Sequence, residues 1–188
     1  MLTIIGRRVN LREFRTGDAA WLVRTMARGT WWRWDAPWEG SPSEDELSRV
    51  PVRIAAMIRE AASPPRRMII ETRAGSPIGT VSRYWVDERT QWLEVGVGIY
   101  AARNWGRGFG PAALGLWVDH LFEALELRRI GLRTWSGNER MVRLALRLGF
   151  RREAVFREAY ATADRAYDRV ALGLLRREWQ RARRSWPG

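Results

Sequence analysis

Arg103-Asn104-Trp105-Gly106-Arg107-Gly108-Phe109-Gly110 is the stretch on which the reading of this chain turns. Its glycines let a backbone approach a ligand closely. Directly after it the pattern becomes helical, with Leu114, Trp117, Val118, Leu121, Phe122 and Leu125 recurring at three and four residues. A glycine loop that opens into a helix offers an anion the free N–H groups and the positive end of the helix dipole, an arrangement that suits a pyrophosphate. Two commoner glycine-rich patterns do not fit. Pro111 stands where a dinucleotide fold wants glycine, and no Gly-Lys-Ser/Thr is present for a nucleoside triphosphate. Taken alone, the loop also reads as a flexible turn into a helix.

Upstream, residues 92–100 alternate as a strand, with Leu93, Val95, Val97 and Ile99 on one face and Glu94, Gly96, Gly98 and Tyr100 on the other. Strands over 68–72 and 78–86, joined by the turn Ala74-Gly75-Ser76-Pro77, precede it and predict an antiparallel trio. The first thirty residues read as strand then helix, the helix over 18–27 with Asp18 as its cap. A second helical pattern covers 44–62, with Leu47, Val50, Ile54 and Ile58 in step and Pro51 limiting its regularity.

Downstream come a strand at 130–135, parallel to 92–100, and a helix over 138–148 closed by Gly149. Strands at about 153–157 and 167–175 and a basic helical tail over 176–184 follow. Strands before, between and after helices predict an α+β fold. The expected sheet is mixed, mostly antiparallel, central and flanked by helices. All 188 residues are expected to form a single domain.

The chain has no cysteine and one histidine, which excludes disulfides, thiolate ligands and a cysteine nucleophile, and no metal is expected. The opening apolar run is cut short by Arg7 and Arg8, and no later segment approaches a membrane span, so a cytoplasmic setting without membrane contact is expected. Net charge is +12 and every basic residue is arginine, a pattern that points first to coding bias. An arginine-rich surface also attracts polyanions, which keeps nucleic acid as a less favoured partner.

The run from Arg103 to Gly108 resembles the Gln/Arg-x-x-Gly-x-Gly/Ala signature of the GNAT superfamily of N-acetyltransferases. Asn138-Glu139-Arg140-Met141-Val142-Arg143-Leu144 with Leu148-Gly149-Phe150 is similar to that family's Asn-x-x-Ser-x-x-Leu…Gly-Phe block. Val9-Asn10-Leu11-Arg12 near the start, and Tyr167-Asp168-Arg169-Val170 with Glu178-Trp179 near the end, resemble its ribosomal-protein-acetylating (RimJ/RimL-like) branch. The resemblance implies the GNAT fold, splayed between its fourth and fifth strands, and an N-acyltransferase that uses acetyl-CoA or another acyl-CoA. The acceptor would be a primary amine of a protein N-terminus or small molecule, and homodimers are frequent among similar proteins.

By the same resemblance, the backbone of Asn104, Trp105, Gly106, Arg107, Gly108, Phe109 and Gly110 would hold the pyrophosphate, with charge from Arg103 and Arg107. The pantetheine arm would lie along Val97, Gly98 and Ile99. Asn138 would cap its helix and touch coenzyme A. Arg140, Arg143 and Arg147 recur at helical spacing and either gather phosphates or form a solvated face. An amine attacks only when neutral, so a base is needed. Glu94 is the candidate, its alternative being a strand carboxylate paired to an arginine. The Val97 or Gly98 N–H would stabilise the oxyanion. Met141 replaces the serine that this branch offers the leaving thiolate, which turns attention to Tyr160 and Tyr167. Trp31, Trp32, Trp34 and Trp38 would wall the acceptor pocket or form a satellite core and dimer contact. His120 reads as a packing residue. The alternatives to an enzyme are a basic RNA- or ribosome-associated module and a non-catalytic acyl-CoA sensor.

Overall fold

Residues 2–60, 62–162, 165–184 and 186 are described by a computed structural model. Eight strands form one sheet: β1 (Thr3–Ile5), β2 (Val9–Arg12), β3 (Arg67–Thr72), β4 (Pro77–Asp87), β5 (Trp92–Ile99), β6 (Arg129–Trp135), β7 (Arg151–Ala161) and β8 (Ala166–Leu175). Their spatial order is β1-β2-β3-β4-β5-β6-β8-β7, and β5–β6 is the parallel pair among antiparallel neighbours. The helices are α1 (Asp18–Arg28), α2 (Trp32–Asp35), α3 (Glu44–Ser48), α4 (Val50–Glu60), α5 (Phe109–Ala124), α6 (Glu139–Arg147) and α7 (Arg176–Ala182).

The parallel pair needs a crossover, and α5 supplies it. Its apolar stripe buries Leu114, Trp117, Val118 and Leu121 against Leu93, Val95, Ile130 and Leu132, the core-facing residues of β5 and β6. Each large side chain so buried contributes about 1.5–3 kcal/mol. The opposite face of the sheet carries a smaller core in which Phe14, Leu22, Ile54, Ile69 and Tyr100 meet under α1 and α4.

Several expectations change in detail. The opening strand is two, because the chain turns at Gly6, whose N–H donates to the Val9 carbonyl at 3.1 Å. The splayed pair is therefore fifth and sixth in chain order. The pattern over 44–62 breaks into α3 and α4, since Pro51 has no N–H for the Leu47 carbonyl and crowds it; Ala61 lies outside the described residues. Asp18 is not a side-chain cap: Gly17 holds that position, and the buried Asp18 carboxylate takes both guanidinium nitrogens of Arg12, at 2.7 and 2.9 Å. β7 runs well past 153–157, the tail helix ends at Ala182, and α2 forms inside the tryptophan-rich loop.

Candidate active site

β5 and β6 are joined by Trp92↔Arg129, Leu93↔Ile130 and Glu94↔Gly131 and by no later pair. The Tyr100 N–H donates to the Ile78 carbonyl at 3.2 Å, which sets the alternation of the β4–β5 ladder. Residues in step with Tyr100 (Gly98, Gly96, Glu94) turn their main chain to β4, while Val97 and Ile99 turn theirs to the gap. Of the two candidate oxyanion donors, the Val97 N–H is thus the one facing the opening. The Ile99 carbonyl accepts the Trp105 indole N–H at 2.7 Å.

A Cβ on Gly98 would lie 3.5 Å from the Tyr100 ring, an ordinary contact, and one on Gly96 would lie 3.0 Å from the Ser82 hydroxyl, a tight one. The Tyr100 hydroxyl is in turn 2.8 Å from that of Thr80, deep beneath Trp31.

Glu94 sits where the strands part and is only 3% exposed; its Oε2 accepts from Arg133 Nε at 2.5 Å. It is thus the strand carboxylate paired to an arginine. Tyr84 stands opposite on β4. Burial first, then the charge and hydrogen bond of Glu94, push its phenol up to about 12, so the hydroxyl keeps its proton.

The loop beyond β5 begins with a 3-10 turn at Ala102–Asn104, then uses Gly106 at φ 72° and Gly108 at φ 79°, conformations natural to glycine. Gly108 caps α5 without any side-chain bond to the helix N–H groups. The amides of Phe109 and Gly110 precede the first helical bond, from Ala112 to the Gly108 carbonyl, and Pro111 has none to offer. A Cβ on Gly106 would meet open space. Arg103 and Arg107 are exposed, Arg107 lying over Phe109, and Asn104 is buried. Arg8 arrives from the turn before β2: its guanidinium lies 3.6 Å from where a Gly108 Cβ would be, and it donates to the Arg107 carbonyl at 3.5 Å.

Asn138 caps α6 through its Oδ1, which accepts the Met141 N–H at 3.2 Å, and its Nδ2 donates to the Trp34 carbonyl at 2.6 Å. Both ends of the amide are therefore engaged. Arg143 forms an exposed pair with Glu139, and Met141 packs against the main core. Arg140 is not part of a solvated face alone, for its guanidinium lies over the rings of Trp34 and Trp105.

Three of the four clustered tryptophans join this arrangement. Trp31 meets Tyr100 edge-on, Trp34 meets Trp105, and Trp38 stacks on Tyr160 with centroids 4.2 Å apart. Trp135 links Trp38 to Tyr167. Trp32 takes Arg33 and no other ring among the described residues. Asp35 follows Trp31 by one helical turn, on the same side of α2. Asp35 is exposed, and loss of surrounding water pushes its carboxyl above its ordinary value against the pull of Arg67. His120 stacks on Trp117, and burial pushes its imidazole down.

Arg8, Asp35, Tyr84 and Arg133 have no counterpart among the residues expected from sequence to form the site. No group of three or more acidic or histidine side chains among the described residues could hold a metal ion, and no helix among them is long and apolar enough to cross a membrane.

A family model described as an acetyltransferase (GNAT) domain matches residues 8–151. A Bacillus subtilis (strain 168) protein, YdaF, named provisionally as a ribosomal N-acetyltransferase, is 32% identical over 106 residues, which is 56% of this chain and 57% of that one. The chain thus spans less than two thirds of that curated relative. Among solved structures, a GNAT-family acetyltransferase from Bacillus anthracis superposes with a TM-score of 0.77 at 15% identity, covering 94% of this chain and 100% of the other. The ribosomal L7/L12 α-N-protein acetyltransferase RimL, solved with coenzyme A, superposes with a TM-score of 0.76 at 13% identity, over 93% and 98% of the two chains. At these identities the likeness is one of fold.

Proposed function

This chain belongs to the acetyltransferase (GNAT) domain family, and on that premise we propose that it transfers an acetyl or other acyl group from acyl-coenzyme A to a primary amine by direct attack. The acceptor class we propose is a protein N-terminus or a small-molecule amine. One observation carries the reading: the sheet stops pairing after Glu94 beside a helix N-terminus that no side chain caps. The unspent amides of Phe109 and Gly110, with Arg8, Arg103 and Arg107 around them, suit the pyrophosphate. The gap-facing main chain of Val97 and Ile99 suits an extended arm that completes the sheet.

In this reading the amine enters on the face carrying Glu94, Tyr84 and the tryptophans. The nitrogen attacks the thioester carbonyl, whose oxygen is met by the Val97 N–H, and the thiolate leaves. Glu94 takes the amine proton through water on Oε1, because Arg133 occupies Oε2. Tyr160 or Tyr167 gives one proton to the thiolate, and Trp31, Trp34 and Trp38 keep bulk water from the amine.

Calorimetry with coenzyme A, followed by thiol release from acetyl-CoA over a panel of N-terminal peptides and small amines, tests the proposal. Saturable binding and amine-dependent release are expected. Absence of coenzyme A binding overturns the reading of the loop, and binding without release for any amine overturns the enzyme.

A further inference from the structure

The diverging ends of β5 and β6 are reconnected by side chains. From Ile99, the last residue of β5, the carbonyl takes the Trp105 indole at 2.7 Å. From Trp135, the last residue of β6, the indole donates to the Trp34 carbonyl at 2.9 Å, which Asn138 also holds. Between the two anchored tryptophans the rings meet at 6.4 Å and 86°, too far apart and too steeply crossed to stack. The guanidinium of Arg140 completes the joint, 4.4 Å from the Trp34 centroid and 4.9 Å from that of Trp105.

Arg140 could have been spent otherwise. Its neighbour Arg143 pairs with Glu139 on the outside of α6, whereas Arg140 makes no ion pair among the described residues and lies against two π faces instead. A guanidinium is broad and weakly hydrated, so it leaves water for two aromatic rings at a lower cost than the compact, strongly hydrated ammonium of lysine. At an exposed side chain such contacts are individually weak. They hold a loop in place without locking it.

We propose that Arg140 is a positioning residue that couples the two substrate sites, tying the tryptophan loop 31–38 to the coenzyme loop 103–110. The inference rests on the acyltransferase reading above. Trp105 lies within the loop assigned to the pyrophosphate, and Trp34 within the loop assigned to the acceptor. Any shift of Trp105 on coenzyme binding moves one of the two rings that hold Arg140 and so reaches Trp34. By linkage the coupling is reciprocal: an acceptor that orders Trp34 tightens coenzyme binding by the same factor.

The test uses the full chain, coenzyme A as probe, and amide hydrogen exchange as readout, with no need to know the acceptor. Saturating coenzyme A is expected to slow exchange at 103–110 and, through Arg140, at 31–38 by about fivefold or more, the lower end of ordinary coupling. In Arg140→Ala the slowing at 103–110 should persist while that at 31–38 disappears. Arg140→Lys, which keeps the charge but holds its water more tightly, should retain less of the effect than the parent. Unchanged exchange of the α5 core amides in both variants shows that they fold. The proposal is overturned if 31–38 stays unaffected in the parent chain or if it is slowed equally in Arg140→Ala. A parent chain in which coenzyme A protects neither loop overturns the acyltransferase site, and the coupling with it, which separates that failure from failure of Arg140 alone.

Discussion

Glu94 and Gly131 face each other as the last residue pair to join β5 to β6, and a Cβ at Gly131 would come within 2.9 Å of the Glu94 Cγ. The carboxylate thus stands at the vertex of the opening, seated against a residue with no side chain. Glu94→Gln preserves that fit and a hydrogen bond to Arg133 but removes the proton acceptor. Turnover should fall by about 10²-fold or more at neutral pH, with coenzyme A affinity preserved. The deficit should shrink at high pH, where the amine is already neutral. A pH–rate profile checks this, and full activity at neutral pH would remove Glu94 from the chemistry.

Gly108→Asp should abolish coenzyme A binding by placing negative charge beside the unspent amides of α5. Gly108→Asn is the control. Asparagine tolerates the positive φ of 79° about as well as aspartate does, so the difference between the two variants by calorimetry isolates charge from backbone strain. Equal affinities for the two would move the pyrophosphate elsewhere.

Arg12 and Asp18 form a buried pair with Glu71 on its other side. Burial pushes the Asp18 carboxyl up, but the Arg12 guanidinium and the Arg15 N–H outweigh it, and the net shift is downward. A carboxylate with a lowered folded value contributes stability that is complete above its ordinary value and lost as pH falls through the lowered one. Asp18→Asn leaves Arg12 short of a counter-charge and should cost about 3 kcal/mol at pH 7. The difference between parent and variant in urea midpoint should narrow toward pH 2.

Tyr84 gives the opposite limb. Its phenol is pushed up to about 12, so between pH 10 and that value the folded chain holds a proton that the unfolded chain releases. Stability should therefore decline as pH rises through this window. Tyr84→Phe should lose less stability than the parent between pH 9 and 11.5 in urea titrations; an identical decline would show that Tyr84 titrates normally.

The loop, the α5 stripe and the β5 alternation were legible because each is a local pattern with its own period. The side chains that complete the site were not. Arg133 reaches Glu94 across 39 residues, Asn138 reaches Trp34 across 104, and Arg8 reaches Arg107 across 99, and none of these leaves a trace in nearby sequence. β7 was read too short for another reason. An edge strand exposed almost throughout shows no alternation, and only its pairing with β8 reveals its length. The asparagine block pointed to α6 and its cap but not to the second use of that amide, holding a carbonyl of the tryptophan loop.

The three-pair seam between β5 and β6 also divides the sheet mechanically. On one side five strands pair antiparallel throughout, and on the other three do, each with local bulges. Two stiff blades hinged at Glu94 and Gly131, with α5 as the strap between them, leave the seam as the line along which the molecule bends most easily. Opening and closing of the gap then needs no strand to unravel, since a small rotation of one blade about that hinge changes the width at Ile99 far more than at Leu93.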